Sequence, residues 1–369
     1  MKIFVSAGDH SGDLHGTNII REIKKILPDA YITGFGGSLM ADHSVILDKI
    51  ADASIIGFWE PVKNIPRLYK NLKTASNFFK NENPDGVILI DYYGFNIHLA
   101  KEAKKSGIPV VYYVCPQVWA TRRNRVKEIK KFVKKAVVIF PFEKEIYERE
   151  GIDCDFFGHP FVDIIPVSYK KASSDRFKIG IMPGSRVQEI DKHLTPFLNA
   201  FSLISKKINN AAGILPVFSQ ETKNYIMKNF FLPPDKIKFI KHDDYAARSE
   251  MDIAMTSSGT ATVENTILGI PMVIGYKTSF LTYFIAKHLI KIKHIGMVNI
   301  LSGDTVCPEL IQNDLEPAKI AAACLKILQN KQIYDDTVRK LENISSGLGK
   351  PGVIGRAASG ILEVFSKNV

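Results

Sequence analysis

Short apolar runs alternate with segments of helical periodicity along the whole chain, and this alternation is the feature that most limits its fold. The apolar runs lie at residues 2–8, 31–37, 86–91, 109–114 and 136–140, and again at 178–182, 212–218, 236–240, 252–256 and 271–276. Continuous apolar runs of this length are typical of strands buried on both faces of a parallel sheet. The alternation with helices therefore predicts α/β architecture with doubly wound parallel sheets.

The apolar runs fall into two groups, separated by a segment rich in Pro, Ser and Lys at residues 165–175. A chain of 369 residues also exceeds what one hydrophobic core usually supports. We therefore predict two Rossmann-like domains, residues 1–168 and 169–349, whose strand carboxyl ends face each other across a cleft. A last helix, at about residues 350–369, is able to pack back on the first domain.

Composition narrows the class of protein. Hydrophobic residues make up 46% of the chain and charged residues 24%, which is ordinary for a soluble globular protein. The four cysteines (Cys115, Cys154, Cys307 and Cys324) lack metal-type spacing. Because Met1 and Lys2 run straight into the first apolar run, we expect no signal peptide, and no apolar run is long enough to span a bilayer. We expect a cytoplasmic protein with reduced thiols and no disulfide framework.

The net charge of +11 is unevenly distributed. Residues 121–135 hold eight basic residues against one acid, and residues 265–303 contain no acid at all. Within the second stretch, residues 280–297 interleave apolar and basic side chains. Such patterns suit phosphates, nucleic acid or an anionic membrane surface, and the alternative is a solvated helix face next to ordinary core.

The segment MPGSRVQEI, residues 182–190, joins an apolar strand to a helical segment through small residues. A strand–turn–helix junction presents backbone N–H groups and a positive helix end to an anion. Gly184 and Ser185 lie in this turn, and Arg186 adds a fixed charge suited to phosphate or carboxylate. The alternative is an ordinary turn in which Ser185 caps the helix.

A second turn of the same kind follows in TSSGTATVE, residues 256–264. Here Ser258, Gly259 and Thr260 precede a helix whose first N–H groups would hold phosphate. Glu264 lies one turn into that helix and is able to accept hydrogen bonds from ribose hydroxyls. Two such turns in one sheet indicate a nucleotide diphosphate, although a single turn is common as a helix start.

Asp91 ends the apolar run GVILID and precedes two aromatic residues and a glycine. A carboxylate at a strand tip in a partly desolvated wall is suited to act as a general base. Such a base would take the proton from a hydroxyl that attacks a sugar anomeric carbon. The sequence favours this role and simple capping of the next helix about equally.

The chain as a whole resembles the lipid-A-disaccharide synthase family. The residues that carry the resemblance are AGDHSGD, GFGG, LIDYYGFN, VCPQVWATRRNRV, FPFEKEIYE, FFGHPFVD, MPGSRVQEI, SSGTATVE, GIPMVIGY and MVNIL. The resemblance implies a GT-B fold and an inverting glycosyltransferase that needs no metal or other cofactor. Such an enzyme joins UDP-2,3-diacylglucosamine to 2,3-diacylglucosamine 1-phosphate, yielding a β-1,6 disaccharide and UDP. It acts at the cytoplasmic face of the Gram-negative inner membrane, whose surface is anionic.

The resemblance also implies roles for individual residues. Asp91 would be the general base, and Arg186 would neutralise the leaving diphosphate. The donor would be held by Ser11, Gly12, Gly184, Ser185, Ser258, Gly259, Thr260, Glu264 and Asn299. Acceptor, acyl-chain or membrane contacts are expected at Phe58, Trp59, Arg122, Arg123, Phe280 and Phe284. The first domain would contact acceptor and membrane, the second would bind the UDP-sugar, and two copies would exchange C-terminal segments.

The chain departs from the family pattern at three places, and three other classes of protein stay open as alternatives. The chain carries Asp9 where Glu is usual, YYGF after Asp91, and Thr121 where a second Trp is common. A UDP-N-acetylglucosamine 2-epimerase shares the two-sheet architecture. A peptidoglycan glycosyltransferase is closer still, but this chain lacks the glycine-rich first-strand motif of that enzyme. A basic nucleic-acid-binding protein would explain the charge, but no recognised module supports nucleic acid as a partner.

Overall fold

The computed structural model describes residues 1–52, 65–119, 124–166, 176–233, 235–278 and 293–366. Its first sheet has seven parallel strands in the order β3-β2-β1-β4-β5-β6-β7. These strands are β1 Lys2–Ala7, β2 Tyr31–Phe35, β3 Val45–Asp48, β4 Gly86–Ile90, β5 Val110–Tyr113, β6 Lys135–Val138 and β7 Cys154–Phe156. The order reverses between β1 and β4, as in doubly wound folds. Ligands in such sheets bind at the carboxyl ends of the strands beside that reversal.

The helices associated with this sheet are α1 His10–Ile26, α2 Ser38–Ala41, α3 Ile65–Glu82, α4 Tyr93–Lys105, α5 Asn124–Phe132, α6 Pro141–Arg149 and α7 Phe161–Ile164. Helix α1 is amphipathic and buries Ile19, Ile20 and Ile23 completely. Strand β4 is buried along its whole length. Burial of both sheet faces explains why these strands read as unbroken apolar runs in the sequence.

The second sheet has six parallel strands in the order β10-β9-β8-β11-β12-β13. They are β8 Phe177–Met182, β9 Ala211–Val217, β10 Ile237–Lys241, β11 Ile253–Ser257, β12 Met272–Tyr276 and β13 Glu309–Ile311. Its helices are α8 Val187–Lys207, α9 Gln220–Asn229, α10 Tyr245–Ser249, α11 Thr260–Ile267, α12 Met297–Ser302, α13 Pro317–Leu328 and α14 Lys331–Ser346. The predicted class, two doubly wound parallel α/β sheets, is thus confirmed.

The chain divides into two compact units, and its last segment belongs to the first of them. Unit 1 comprises Met1–Asp163 and Leu348–Val369, and unit 2 comprises Ile164–Gly347. Helix α15, Val353–Ser366, packs against α1 of the same chain. The Asp163 carboxylate fixes its start by accepting the backbone N–H groups of Gly352 at 2.6 Å and Ile354 at 2.8 Å.

Within the described ranges, no helix combines the length and the apolar character needed to cross a membrane. All four cysteines lie within these ranges, and each is a buried free thiol. Burial raises the pKa of the Cys115 thiol well above its ordinary value, so this group stays protonated at neutral pH.

Unit 1 buries a pair of histidines, His15 on α1 and His159 just before α7. The His15 and His159 rings are 6.5 Å apart and both pack against Phe161. Burial lowers the pKa of His15 to about 4, and it lowers the pKa of His159 well below its ordinary value. In the described part of the chain, His15 Nδ1 has no hydrogen-bond partner. Both rings are therefore neutral at pH 7 and act as core groups.

We predict that unit 1 loses stability as the pH falls from about 7.5 to about 5, and that His15→Phe removes part of that loss. The unfolded chain takes up a proton as pH falls through 6.5, whereas folded His15 resists it until about pH 4. The free energy of unfolding should drop by about 2 kcal/mol at pH 5 from His15 alone.

Urea denaturation followed by tryptophan fluorescence measures this loss, because both tryptophans, Trp59 and Trp119, fall within the range of unit 1. The exposed His98 supplies a matched control, and His98→Phe should keep the wild-type pH dependence. A His15→Phe protein with the wild-type pH dependence would contradict the prediction.

Candidate functional site

The chain leaves strand β4 in a strained backbone conformation at Asp91. Asp91 has φ 41° and Tyr92 has φ 46°, two consecutive left-handed residues that are not glycine. Directly after the neighbouring strand β5, the β-branched Val114 has φ 55°. Left-handed conformations of such residues cost about 1–3 kcal/mol each and concentrate at functional sites. The strain points to Asp91 as a residue whose position matters.

Buried hydrogen bonds hold this strained end in place. The Asn96 side chain is fully buried, and its Nδ2 donates to the carbonyls of Ile90 at 3.0 Å and Asp91 at 2.9 Å. The Tyr112 hydroxyl donates to the Asp91 carbonyl at 2.6 Å. The Ser6 hydroxyl completes the set by donating to Asn96 Oδ1 at 2.7 Å. Helix α4, which carries Asn96, and strands β1 and β5 thus fix the backbone of Asp91 together.

A pocket of about 390 Å³ opens at this end of the sheet. Its lining residues are Asp91, Tyr92, Tyr93, Gly94, Pro116, Gln117 and Arg125. This volume lies in the range of small-molecule sites, about 300–1,000 Å³. The pocket combines a carboxylate, a guanidinium and aromatic rings, which suits a polar ligand with a flat apolar face.

The first glycine turn of the chain touches the same strand end. A Cβ atom at Gly8 would lie 2.0 Å from the Tyr92 ring, so only glycine allows that ring to pack there. Burial and the nearby Asp9 carboxylate raise the pKa of Tyr92. Two separate motifs of the sequence, AGDHSGD and LIDYYGFN, therefore meet within unit 1.

The predicted donor residues Ser11 and Gly12 lie in the first turn of α1, beside this contact. Asp9 is the N-cap residue, and its Oδ1 accepts the Gly12 N–H at 2.7 Å. The next carboxylate, Asp13, is buried and accepts N–H groups of Gly37, Leu39 and Met40 at 2.7 to 3.2 Å. Both carboxylates of AGDHSGD thus have structural partners.

Glu143 is a second buried carboxyl group near Asp91 that the sequence analysis missed. Its Oε1 accepts the Trp119 indole N–H at 2.9 Å, and its Oε2 accepts the Phe140 N–H at 3.2 Å. Burial raises the pKa of Glu143 to about 7, and the charge of Asp91 adds to that rise. The motif FPFEKEIYE contains this residue, but its burial depends on Trp119, which lies in another segment.

In unit 2, the turn at residues 183–186 is occupied by a carboxylate of its own helix. Glu189 Oε2 accepts the N–H groups of Ser185 at 3.1 Å and Arg186 at 3.4 Å. Gly184 has φ +118°, and a Cβ there would lie 2.3 Å from the same oxygen. Arg186, not Ser185, is the N-cap residue, and its side chain is 64% exposed. The Arg186 guanidinium therefore remains accessible while Glu189 covers the turn's N–H groups.

His193 ties this turn to the end of strand β12. Its Nε2 accepts the Lys277 N–H at 2.9 Å, so the proton lies on Nδ1, which is 2.8 Å from the Pro183 carbonyl. Burial lowers the pKa of His193 and keeps the ring neutral. A neutral imidazole with one donor and one acceptor fixes the turn without adding charge.

The second turn, at the start of α11, has no such cover. Gly259 is the N-cap residue, and no side chain caps the helix in the described structure. The Ser258 hydroxyl donates to the Ile295 carbonyl at 2.7 Å, while Gly259 and Thr260 are exposed. Uncapped N–H groups at a helix start attract anions. The geometry therefore favours α11 over α8 as the phosphate-binding helix.

Glu264 lies one turn into α11 and is held by a buried network. Its Oε1 accepts the Tyr245 hydroxyl at 2.8 Å and lies 3.1 Å from Arg248 Nη1. The Arg248 side chain is only 1% exposed and also donates to the His242 carbonyl and to Asn265 Oδ1, each at 3.0 Å. The sequence analysis did not single out Arg248, whose burial depends on contacts with His242, Glu264 and Asn265.

Asn299 is fully buried, and its amide bonds to neighbouring chain segments. Its Nδ2 donates to the Cys307 carbonyl at 2.7 Å and to Glu309 Oε1 at 2.8 Å. Its Oδ1 accepts the N–H groups of Val306 at 2.8 Å and Cys307 at 2.9 Å. These four bonds use both donors and both acceptor positions of the amide. Asn299 therefore ties α12 to residues 306–309.

The remaining predicted contacts, with acceptor, lipid or membrane, lie outside the described residues: Phe58, Trp59, Arg122, Arg123, Phe280 and Phe284. Across the ranges that the structure covers, no group of three or more His, Cys, Asp and Glu side chains is arranged to hold a metal ion.

Comparison with known proteins gives matches over the whole chain. The sequence model of the LpxB family, described as lipid-A-disaccharide synthetase, matches residues 3–350. A lipid-A-disaccharide synthase of Syntrophus aciditrophicus is 36% identical over 382 residues, covering 99% of this chain and 98% of that protein. The lipid-A-disaccharide synthase of Coxiella burnetii strain CbuG_Q212 is 34% identical over 372 residues, covering 98% and 97%.

Solved structures share the fold at low sequence identity. The complex of S. aureus MnaA with UDP has a TM-score of 0.70 at 11% identity and covers 100% of this chain and 97% of that one. A UDP-GlcNAc 2-epimerase from Neisseria meningitidis bound to UDP-GlcNAc gives 0.67 at 13%, covering both chains fully. Acinetobacter baumannii MurG gives 0.61 at 13%, covering 98% and 99%. These likenesses identify a GT-B type fold, and the full-length sequence matches go further: the chain belongs to the lipid-A-disaccharide synthase family.

Proposed function

We propose that this protein transfers a 2,3-diacylglucosaminyl group from UDP to the hydroxyl of 2,3-diacylglucosamine 1-phosphate. The products are a β-1,6-linked lipid A disaccharide 1-phosphate and UDP, formed with inversion at the anomeric carbon. The observation that carries the proposal is family membership over nearly the full chain, at 34–36% identity to lipid-A-disaccharide synthases. The strained Asp91 in a pocket of unit 1 and the uncapped helix α11 in unit 2 support it.

Asp91 is proposed to act as the general base. As the acceptor oxygen attacks the anomeric carbon, the carboxylate takes its proton, and the bond from that carbon to the diphosphate breaks. Correct placement of a base contributes about 10²- to 10⁴-fold to rate. The buried bonds from Asn96 and Tyr112 to the Asp91 carbonyl support this role, since they hold the backbone against its own strain.

The donor diphosphate is proposed to bind at the start of α11. The N–H groups of the first turn and the positive end of the helix would stabilise the charge that develops on UDP. Ser258, Gly259 and Thr260 surround these groups. Arg186 is proposed to reach the same diphosphate from the neighbouring turn of Gly184 and Ser185, because its guanidinium is exposed and Glu189 is a distant partner at 3.5 Å.

Glu264 is proposed to accept hydrogen bonds from the ribose of UDP. Glu264 Oε1 accepts a hydrogen bond from the Tyr245 hydroxyl and forms an ion pair with Arg248. In this proposal, Oε2 accepts from the ligand. Asn299 would act indirectly on UDP, by fixing the segment around α12, and Ser11 and Gly12 would line the donor side in unit 1.

We further propose that the protein works on the cytoplasmic face of the inner membrane as a peripheral protein. Both substrates are acylated and anionic, and the chain carries a net charge of +11. The apolar and basic stretches with Phe58, Trp59, Arg122, Arg123, Phe280 and Phe284 would supply lipid contacts. A homodimer that exchanges C-terminal segments would use the α1 surface on which α15 packs in this chain.

Replacing the proposed base tests this mechanism. We expect Asp91→Asn to lower kcat by at least about 100-fold while UDP binding stays unchanged, because the amide cannot take the acceptor's proton. Disaccharide formation measured by mass spectrometry, with UDP affinity from calorimetry, gives both values. Asp29→Asn, an exposed carboxylate at the other end of α1, is the matched control. Full activity of Asp91→Asn would remove the assignment.

Tyr245→Phe tests the proposed ribose contact. Loss of the phenol weakens the hold on Glu264, so the KM for the donor should rise about 3- to 10-fold with little change in kcat, a typical effect of losing one hydrogen bond. Tyr225→Phe is the control, because its hydroxyl also donates to a carboxylate, Asp191 Oδ1 at 2.6 Å, on the surface of unit 2. Equal donor KM values for both variants would refute the role of this network.

A further inference from the structure

We propose that Arg125 binds the phosphate group of the acceptor and so decides which end of the acceptor sugar faces Asp91. This inference rests on the proposed function and assigns one residue to acceptor recognition. The ligand group is a phosphate monoester carried on a sugar. Arg125 lies in the pocket of unit 1 that also contains Asp91.

Arg125 and Asp91 line the same pocket of about 390 Å³. Arg125 lies near the start of helix α5 and is half-buried. Its guanidinium carbon is 4.3 Å from the centre of the Tyr93 ring. Stacking on an aromatic face orients the planar guanidinium and restricts its rotamers, which lowers the entropy lost when it binds a ligand.

The Tyr93 ring is itself held in place. Its hydroxyl donates to Glu128 Oε2, one turn further along α5. Burial and this hydrogen bond raise the pKa of Tyr93, so the phenol stays protonated and remains a donor. Glu128 thus accepts a hydrogen bond from a neutral group. The ion pairs found among the described residues do not include Arg125, whose observed contact is with the Tyr93 ring. The guanidinium keeps its N–H donors for a ligand.

The two charges of the pocket treat the two ends of the acceptor differently. A phosphate would be repelled by the Asp91 carboxylate and attracted by Arg125, whose fork of N–H groups matches phosphate oxygens. The phosphate therefore belongs beside Arg125, and the hydroxyl to be activated belongs beside Asp91. Charge complementarity of this kind sets orientation and specificity as well as affinity.

The test compares acceptors with and without the phosphate in wild-type protein, Arg125→Gln and Arg125→Lys. For the phosphorylated acceptor, Arg125→Gln should lower kcat/KM about 10- to 100-fold, as expected for loss of charge-assisted hydrogen bonds. For 2,3-diacylglucosamine without the phosphate, kcat/KM of Arg125→Gln should equal that of wild type within about 3-fold. For the phosphorylated acceptor, kcat/KM of Arg125→Lys should fall between those of Arg125→Gln and wild type. Lys127→Gln, an exposed charge on the same helix, should leave both values unchanged.

Two results would overturn the inference. Equal losses on both acceptors would mean that Arg125 only supports the Tyr93 ring. Reduced binding of Arg125→Gln to phosphatidylglycerol vesicles, with acceptor discrimination intact, would mean that the residue meets a phospholipid headgroup. If wild-type protein forms no disaccharide from the phosphorylated acceptor, the proposed function itself fails, and that result is distinct from both.

Discussion

The backbone at the carboxyl end of strand β4 is strained, and the buried amide of Asn96 is the contact on which its position depends. Two successive left-handed residues cost about 1–3 kcal/mol each, and Asn96, Tyr112 and Ser6 offset that cost with buried hydrogen bonds. The partners come from the two strands that flank β4 and from one helix, so the centre of the sheet fixes Asp91. A catalytic carboxylate gains from such rigid support, because its proton transfer depends on position.

Unit 2 uses its two helix starts in different ways. At α8, the carboxylate of Glu189 accepts the N–H groups of the preceding turn, from Ser185 and Arg186, whereas α11 has glycine at its N-cap and no side chain caps it in the described structure. The buried Arg248 offsets the charge of Glu264 inside α11, so that helix carries a carboxylate without leaving it unpaired. The turn before α8 is thus covered by a carboxylate of its own helix, and the open start of α11 supports our proposal that the anion binds there.

Apolar runs were sufficient to predict most strands, because both sheets are buried on both faces. Strand β3 escaped prediction because Val45–Asp48 alternates exposed and half-buried residues at a sheet edge, and β13 has only three residues. Asp91 could be singled out from its place at a strand tip. Its strain could not, because that depends on Asn96 and Tyr112 from other elements. Glu189 did leave a signal, an acid three residues after the helix N-cap.

We propose that this protein joins two acylated sugars, with UDP as the leaving group. UDP release is measured most directly by incubating the protein with UDP-2,3-diacylglucosamine alone, with 2,3-diacylglucosamine 1-phosphate alone, and with both. We predict that UDP and the disaccharide 1-phosphate accumulate in equal amounts, and only when both sugars are present. Release of UDP from the donor alone at the same rate, or conversion of the donor to its C2 epimer, would contradict this function.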